Sequence, residues 1–237
     1  VEVQRLCEAA TVRHRFVRDG SRPTTVKTRL YIDDQYVLRR DDELVHKVSA
    51  GIGEEIVEAF HQTLDQADAV ILSDYNKGFF TAENARAMIV RCGERSIPVV
   101  VDLKPPNAAY FSSTTVVAPN LKEAREICPG FDPYQMESSL QEIHKLLGAE
   151  NVVVTLGSEG MLVYDGRVAT HVSGKAVEAV DPCGCGDTVR ACLTLGLVAG
   201  LDLVDAAEFA NVAASVAVQK LGTASLGPNE LLTKGHS

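Results

Sequence analysis

Apolar residues along the chain follow two spacings, and segments of the two kinds alternate. Short continuous apolar runs, typical of buried parallel strands, are separated by stretches whose apolar residues recur every three to four positions, as on amphipathic helices. Strands are predicted at 69–73, 97–101, 115–118 and 152–154. Helices are predicted at 54–67, 81–92, 138–147 and 202–221, and a further helix runs through Glu123 and ends at Ile127. This alternation predicts an α/β fold with a mostly parallel sheet and helices on both faces.

A different pattern comes before these units. Residues 24–32 are rich in β-branched residues and partly alternate, Asp33 and Asp34 form a turn, and a second short run follows. We therefore expect a β-hairpin over 24–40 with charged residues on one face. Its arginines are either solvated edge charges or a cover for an anionic substrate; they are Arg29, Arg39 and Arg40. Residues 1–20 are polar and show only a weak pattern.

Polar residues stand just past the carboxyl ends of four predicted strands. They are Asp74, Asp102, Asn120 and Thr155. Any one of them alone is interpreted as a loop cap, which is the usual role of Asp and Asn. Because ligands of open parallel sheets bind beyond the carboxyl ends of the strands, the four together predict a site at that edge.

A glycine turn gives this edge its candidate chemistry. A strand-like run at 176–180 ends in Asp181, Gly184 and Gly186 follow, and a helix is expected from about Asp187. The unpaired N–H groups and partial positive charge of a helix N-terminus suit a phosphate-like anion. A carboxylate beside such an anion fits a base that takes a proton from an attacking hydroxyl. Asp is also a favoured helix N-cap, so a structural role for Asp187 stays open.

Two further segments have ordinary interpretations. Thr155, Gly157 and Gly160 outline a second glycine turn, which alone indicates a hairpin turn. Small residues line one side of the helix at 202–221, which predicts close packing.

Composition narrows the class of protein. The 237 residues are 46% hydrophobic with a net charge of −9, which favours one large α/β domain and argues against a general nucleic-acid binder. No apolar run approaches the roughly 20 residues that span a membrane. The six cysteines show no disulfide pattern and predict reduced thiols in the cytoplasm. Cys183 and Cys185 lack a second pair at zinc spacing, and beside a helix N-terminus we expect them to be reactive thiolates.

Taken together, these residues make the chain resemble the ribokinase-like (PfkB) carbohydrate kinases. Residues 181–187, Asp-Pro-Cys-Gly-Cys-Gly-Asp, are similar to the C-terminal signature of that family. Five further segments resemble the heptose branch, the kinase half of bifunctional heptose kinase/adenylyltransferases; they are 25–30, 72–78, 102–104, 118–123 and 221–230. The likeness runs in order over nearly the whole chain. Pro182 and Cys185 depart from the commoner Thr and Ala of the signature, while the glycines and Asp187 are kept.

The resemblance implies a role for each matched position. Asp187 would be the catalytic base, and Gly184, Cys185 and Gly186 would hold the transferred phosphoryl group. The implied ATP contacts are Asn120, Leu121, Lys122, Glu123, Thr155, Gly157, Gly160 and Asn211, with Mg²⁺ associated with Glu123. The implied sugar contacts are Arg29, Asp74, Lys77, Asp102, Lys104 and Asp181.

As a whole, the resemblance implies a single PfkB-type domain over 1–237 with the 24–40 hairpin as a sugar lid. The expected activity is ATP-dependent phosphorylation of a sugar, in the heptose branch at the anomeric oxygen of a heptose 7-phosphate. The expected partners are a small sugar phosphate and a second copy, bound through the lid. The family's first strands and the adenylyltransferase half have no counterpart here, so we expect an N-terminally truncated kinase domain that does not make the ADP-sugar. Two alternatives stay open: another sugar kinase of the family, and a non-catalytic nucleotide-binding remnant.

Overall fold

Two separate β-sheets and the helices packed on the larger one make up the fold. The computed structural model describes residues 2–33, 35–223 and 225–232. The strands are β1 (Val26–Ile32), β2 (Gln35–Asp42), β3 (Val70–Ser73), β4 (Val99–Asp102), β5 (Val116–Val117), β6 (Asn151–Thr155), β7 (Gly160–Tyr164) and β8 (Ala169–Ser173). The helices are α1 (Glu2–Ala9), α2 (Ala50–Leu64), α3 (Ala82–Gly93), α4 (Leu121–Ile127), α5 (Met136–Leu147), α6 (Cys185–Val198), α7 (Leu203–Ala217) and α8 (Pro228–Leu232).

The larger sheet has its six strands in chain order, β3-β4-β5-β6-β7-β8. Strands β3 to β6 are parallel, and β6, β7 and β8 are antiparallel. The predicted fold, α/β with a mostly parallel sheet, is therefore confirmed. Strand β8 was not predicted, because most of its residues are partly or fully exposed and it lacks a continuous apolar run.

Alternate residues of the central strands bury against different helices. In β4, Val99 and Val101 join the core under α3 and α5, whereas Val100 joins the core under α6 and α7. Each strand is thus apolar on both faces, which explains its continuous apolar run. The prediction of helices on both faces is confirmed.

Several element boundaries differ from the predicted ones. Helix α2 begins at Ala50, four residues earlier than expected, because the Ser49 side chain accepts the Ile52 N–H and caps it. Helix α6 begins at Cys185 rather than Asp187, and Gly184 stands at its N-cap position. Helix α1 lies within the polar N-terminal stretch, where no helix was predicted.

The run at 176–180 is not a strand, contrary to prediction. All five of its residues are exposed and none belongs to the sheet, whose last strand is β8. The Val180 and Asp181 N–H groups instead donate to the Val218 carbonyl, at 2.8 and 3.0 Å. This segment is an extended connection that brings the chain from β8 to α6.

The predicted hairpin is confirmed as a two-stranded antiparallel sheet formed by β1 and β2. It runs two residues beyond the expected end at 40, and Asp34 of the predicted turn lies outside the described residues. Every side chain of β1 is exposed, so the hairpin is not part of the core. Among the described residues, no helix is long and apolar enough to cross a membrane.

Candidate active site

The polar residues predicted at strand ends lie along one edge of the larger sheet. Parallel pairing continues past the strands: the Asp74 N–H donates to the Asp102 carbonyl at 2.8 Å, and Asn120 forms a bridge with Thr155. Asp74 is buried, and its two oxygens accept the Asn76 N–H and the Asn107 side-chain amide, each at 2.8 Å. The carboxyl edge is therefore lined by polar groups, with Asp74 buried and fixed at one end by both of its oxygens.

The glycine turn comes to this edge at the start of α6. Gly184 has a φ of 81°, in the left-handed region that favours glycine. The turn is braced by Asp181, whose carboxylate oxygens accept the N–H groups of Cys183 and Gly222, each at 2.9 Å. These bonds, with a smaller contribution from Arg29 on the hairpin, hold the pKa of Asp181 below its ordinary value. The hairpin therefore lies close enough to the turn to act on its charge.

Asp187 is exposed in the first turn of α6 and does not cap it. The N-cap position belongs to Gly184, and no side chain caps this helix. The structural interpretation of Asp187 as an N-cap is therefore wrong. Within the described part of the chain, its carboxylate has no hydrogen bond or ion pair, which leaves it available for a proton.

A group of buried charges lies beneath the turn. Arg190 Nη2 is 2.7 Å from Asp102 Oδ1, and Lys104 Nζ is 2.5 Å from Glu123 Oε1 and 3.7 Å from Asp102. Burial raises the pKa of Asp102. The positive charges of Arg190 and Lys104 lower this pKa, and the negative charges of Glu123 and Asp187 raise it further, with a net increase. Burial by itself would lower the pKa of Lys104, but the hydrogen bond to Glu123 and the nearby carboxylates raise it.

Two of the residues expected to contact ATP cap helix α4. The Asn120 side chain accepts the Glu123 N–H at 2.9 Å, and Glu123 Oε2 accepts the Asn120 N–H at 2.9 Å. Since its other oxygen binds Lys104, both oxygens of Glu123 have protein partners. Leu121 is half-buried against the core, and Lys122 is exposed, with its Nζ 3.9 Å from Glu126.

The other residues expected on the nucleotide side meet where β6, β7 and β8 approach α7. The turn from Thr155 to Gly160 packs against β8 and the residue after it, where the Gly174 N–H donates to the Glu159 carbonyl at 3.1 Å. The Asn211 side chain of α7 donates to the Ser173 carbonyl at 2.6 Å and lines a cavity of about 540 Å³. This cavity is a candidate position for the base of a nucleotide.

Lys77 is paired rather than free at the hairpin end of the edge. Its Nζ is 2.5 Å from Glu43 Oε1, just after β2. The structure thus links the loop after β3 to the base of the hairpin.

The expectation of a reactive thiolate at Cys185 is wrong. Burial, together with the negative charge of Asp181 and the neighbouring Cys183, raises the pKa of Cys185. All six cysteines are free thiols, as predicted. No group of three or more His, Cys, Asp and Glu side chains in the described ranges could hold a metal ion.

Sequence reasoning missed Arg190, which contacts both Asp102 and the turn. The available signal was a single arginine among the apolar residues of α6, three positions after Asp187. Asn107, which anchors Asp74, gave no such signal because it stands in a short 3₁₀ segment between strands.

Solved structures of other proteins share this fold. Arabidopsis thaliana ribokinase complexed with ribose and ATP superposes with a TM-score of 0.76 at 20% identity, covering 98% of this chain and 78% of the ribokinase. The tetrameric inhibited form of Escherichia coli phosphofructokinase-2 gives 0.77 at 19% identity, covering 98% of this chain and 76% of that one. The fold is ribokinase-like.

The sequence comparison identifies the family. The model of the pfkB family carbohydrate kinases matches residues 2–230. The chain belongs to this family.

Two relatives are named bifunctional protein HldE. The one from Bradyrhizobium diazoefficiens is 37% identical over 234 residues, which are 97% of this chain and 47% of that protein. The one from Helicobacter hepaticus is 35% identical over 222 residues, which are 92% of this chain and 46% of that protein. The chain thus spans about half the length of these relatives.

Proposed function

We propose that this protein is an ATP-dependent sugar kinase that transfers the γ-phosphoryl group to the anomeric oxygen of a heptose 7-phosphate. The observation that carries the kinase assignment is Asp187 in the first turn of α6, directly after the glycine turn. Its carboxylate is exposed and does not cap the helix. Support for the heptose comes from the segments that resemble the heptose branch and from the similarity to two HldE proteins.

In the proposed reaction, the sugar hydroxyl loses its proton to Asp187 as its oxygen attacks the phosphorus. The N–H groups at Gly184 and Gly186 stabilise the negative charge on the transferred group, helped by the positive end of α6. The Cys185 N–H donates to the Pro182 carbonyl at 3.2 Å and would join them only on release from that bond. The hairpin would cover the sugar and exclude water, so that ATP is not hydrolysed in its place. Arg29, whose positive charge contributes to lowering the pKa of Asp181, would be the hairpin residue that meets an anionic substrate.

The nucleotide would lie along the other end of the edge. Its base would occupy the cavity at Asn211, and its phosphates would extend past the turn at Thr155–Gly160 toward the start of α6. Mg²⁺ commonly keeps several waters and binds one or two carboxylates plus substrate phosphates, where it neutralises their charge. Glu123 would bind Mg²⁺ only through a water molecule, since both of its carboxylate oxygens already have protein partners.

We further propose that residues 1–237 act as one kinase domain, with the hairpin serving both as lid and as the contact between two copies. In support, the hairpin stands apart from the larger sheet and exposes apolar side chains, including Leu30 and Leu38.

The experiment that tests the function is the Asp187→Asn variant, with turnover and ATP binding measured on the same preparations. Asn keeps the size of the side chain but cannot accept the proton, so kcat should fall by roughly 10²–10⁴-fold. ATP affinity, measured by calorimetry with Mg²⁺, should stay constant or tighten slightly, because a negative charge near the phosphates is gone.

Asp202→Asn is the matched control. Asp202 caps α7 by accepting the Asp205 N–H at 2.9 Å, and Asn caps equally well. Its turnover should equal that of the wild type. Wild-type turnover in Asp187→Asn would overturn the mechanism, turnover on another sugar only would favour the alternative kinase, and ATP binding without any turnover would favour the non-catalytic alternative.

A further inference from the structure

Arg190 is a buried cation directly behind the candidate catalytic turn. It follows Asp187 by three residues on α6, and its side chain is only 9% exposed. Side chains on a helix point back toward its N-terminus, so a long one at 190 lies over the residue four positions earlier, Gly186. The guanidinium therefore extends beneath the turn rather than away from it.

The contacts of Arg190 join the turn to the sheet. Its Nη2 is 2.7 Å from Asp102 Oδ1 at the end of β4 and donates to the Ala118 carbonyl after β5 at 3.4 Å. Its Nη1 lies 2.7 Å from the point that a Cβ on Gly186 would occupy. One side chain thus connects two strand ends with the residue before Asp187, and a Cβ at Gly186 would displace its guanidinium.

The charges around Arg190 are two cations, Arg190 and Lys104, and three carboxylates, and they are incompletely hydrogen-bonded. Arg190 Nε and Asp102 Oδ1 are buried, and among the described residues neither makes a well-aligned hydrogen bond, although Arg190 Nη2 forms an ion pair with Asp102 Oδ1 at 2.7 Å. The groups that act on Asp102 are Arg190 and Asp187 from α6, Lys104 from the loop after β4, and Glu123 from α4. A buried charge is costly when unpaired, and removing Arg190 would leave Asp102, among the residues that the structure describes, with Lys104 as its remaining ion-pair partner, 3.7 Å away.

We propose that Arg190 is a positioning residue for phosphoryl transfer, acting through Gly186 and Asp102. It holds the glycine turn against the ends of β4 and β5, and it neutralises Asp102 so that incoming phosphates meet no uncompensated negative charge beneath the turn. This proposal rests on the proposed function, since positioning matters only if the turn holds a transferred group.

The first test is thermal unfolding of the wild type, Arg190→Met and the double variant Arg190→Met/Asp102→Asn between about pH 5 and about pH 8. Methionine fills similar space without charge. Without the guanidinium, ionised Asp102 is penalised, so the loss of Tm should be greatest at high pH and should shrink as pH falls and Asp102 takes up a proton. In the double variant the loss should not vary with pH. A loss in Arg190→Met that is constant with pH would show that Arg190 only fills space.

The second test separates kcat from KM. Displacing catalytic groups by about 1 Å can cost on the order of 10²-fold, so kcat of Arg190→Met should fall about 10- to 100-fold while KM for ATP changes little. Arg190→Lys should recover only part of kcat, because lysine has the charge but not the planar fork. The matched control is Arg91→Met, which removes an exposed arginine of α3 paired with Glu94 and should leave kcat unchanged.

The outcomes distinguish the two proposals. An active wild type with unchanged kcat in Arg190→Met would overturn the role of Arg190 and leave the proposed function standing. A wild type inactive on every sugar would overturn the proposed function and the positioning role with it, and the unfolding series would still decide whether Arg190 compensates Asp102.

Discussion

At the scale of the residue, the two glycines of the turn are required for different physical reasons. Gly184 has a positive φ, and a Cβ there would lie 3.0 Å from Thr223 Cγ2. Gly186 has no positive φ but leaves room for the Arg190 guanidinium. The first glycine thus sets the path of the backbone, and the second sets the packing beneath it.

This difference predicts the effect of alanine at Gly184. Gly184→Ala should lower the free energy of unfolding by about 2–3 kcal/mol, because it combines a left-handed backbone with a close contact. Gly157→Ala is the matched control, since Gly157 has a φ of 64° but open space around its Cα, and it should cost about 1 kcal/mol. Urea denaturation gives both values, and equal losses would contradict the steric argument.

At the scale of the element, α4 depends on its first residues. It has only seven residues, too few for a stable helix in isolation, and Asn120 and Glu123 form a reciprocal capping box at its start. The same Asn120 pairs with Thr155 of β6. Residues with an expected role at the nucleotide therefore also hold the edge of the site together.

The capping box predicts a cost for its removal. Asn120→Ala should lower the free energy of unfolding by about 0.5–2 kcal/mol, whereas Asn120→Asp keeps an accepting oxygen and should cost much less. Chemical denaturation of both variants without nucleotide isolates this effect from ligand binding. If the Ala and Asp variants were equally stable, the cap would contribute nothing.

At the scale of the whole molecule, the hairpin of β1 and β2 is a sheet of its own. Two-stranded hairpins are marginally stable alone, and both of its strands present unpaired edges. Leu30 and Leu38 are register partners on it and are 49% and 45% exposed. A second hairpin packed on these residues would bury them.

We therefore predict a dimer that depends on the hairpin. In sedimentation equilibrium the wild type should be dimeric, and Leu38→Lys should shift it toward monomer. Val168→Lys, at a 61% exposed position between β7 and β8, should stay dimeric as the control. A wild type that remains monomeric at high concentration would contradict the proposed contact.

The sequence was sufficient to predict most of the strands and helices and to locate the candidate site at the carboxyl edge of the larger sheet. Buried strands such as β4 and β6 and amphipathic helices such as α5 carry their pattern in neighbouring residues, so the prediction needed no long-range information. The prediction of a strand failed at 176–180, because a β-like composition is not enough to form a strand: the N–H groups of Val180 and Asp181 donate to the Val218 carbonyl rather than to a strand.

The sequence by itself determined the α/β fold, the hairpin and the glycine turn with Asp187, because hydrophobic periodicity and backbone freedom are local properties. Only the tertiary structure decided that Gly184, not Asp187, occupies the N-cap position, that partial burial and nearby negative charge raise the pKa of Cys185, and that Arg190 pairs with Asp102. Burial and ion pairing depend on groups far apart in the chain, such as the 72 residues between Arg190 and Ala118. Their positions are set by the packing of α6 on the sheet, which no local pattern encodes.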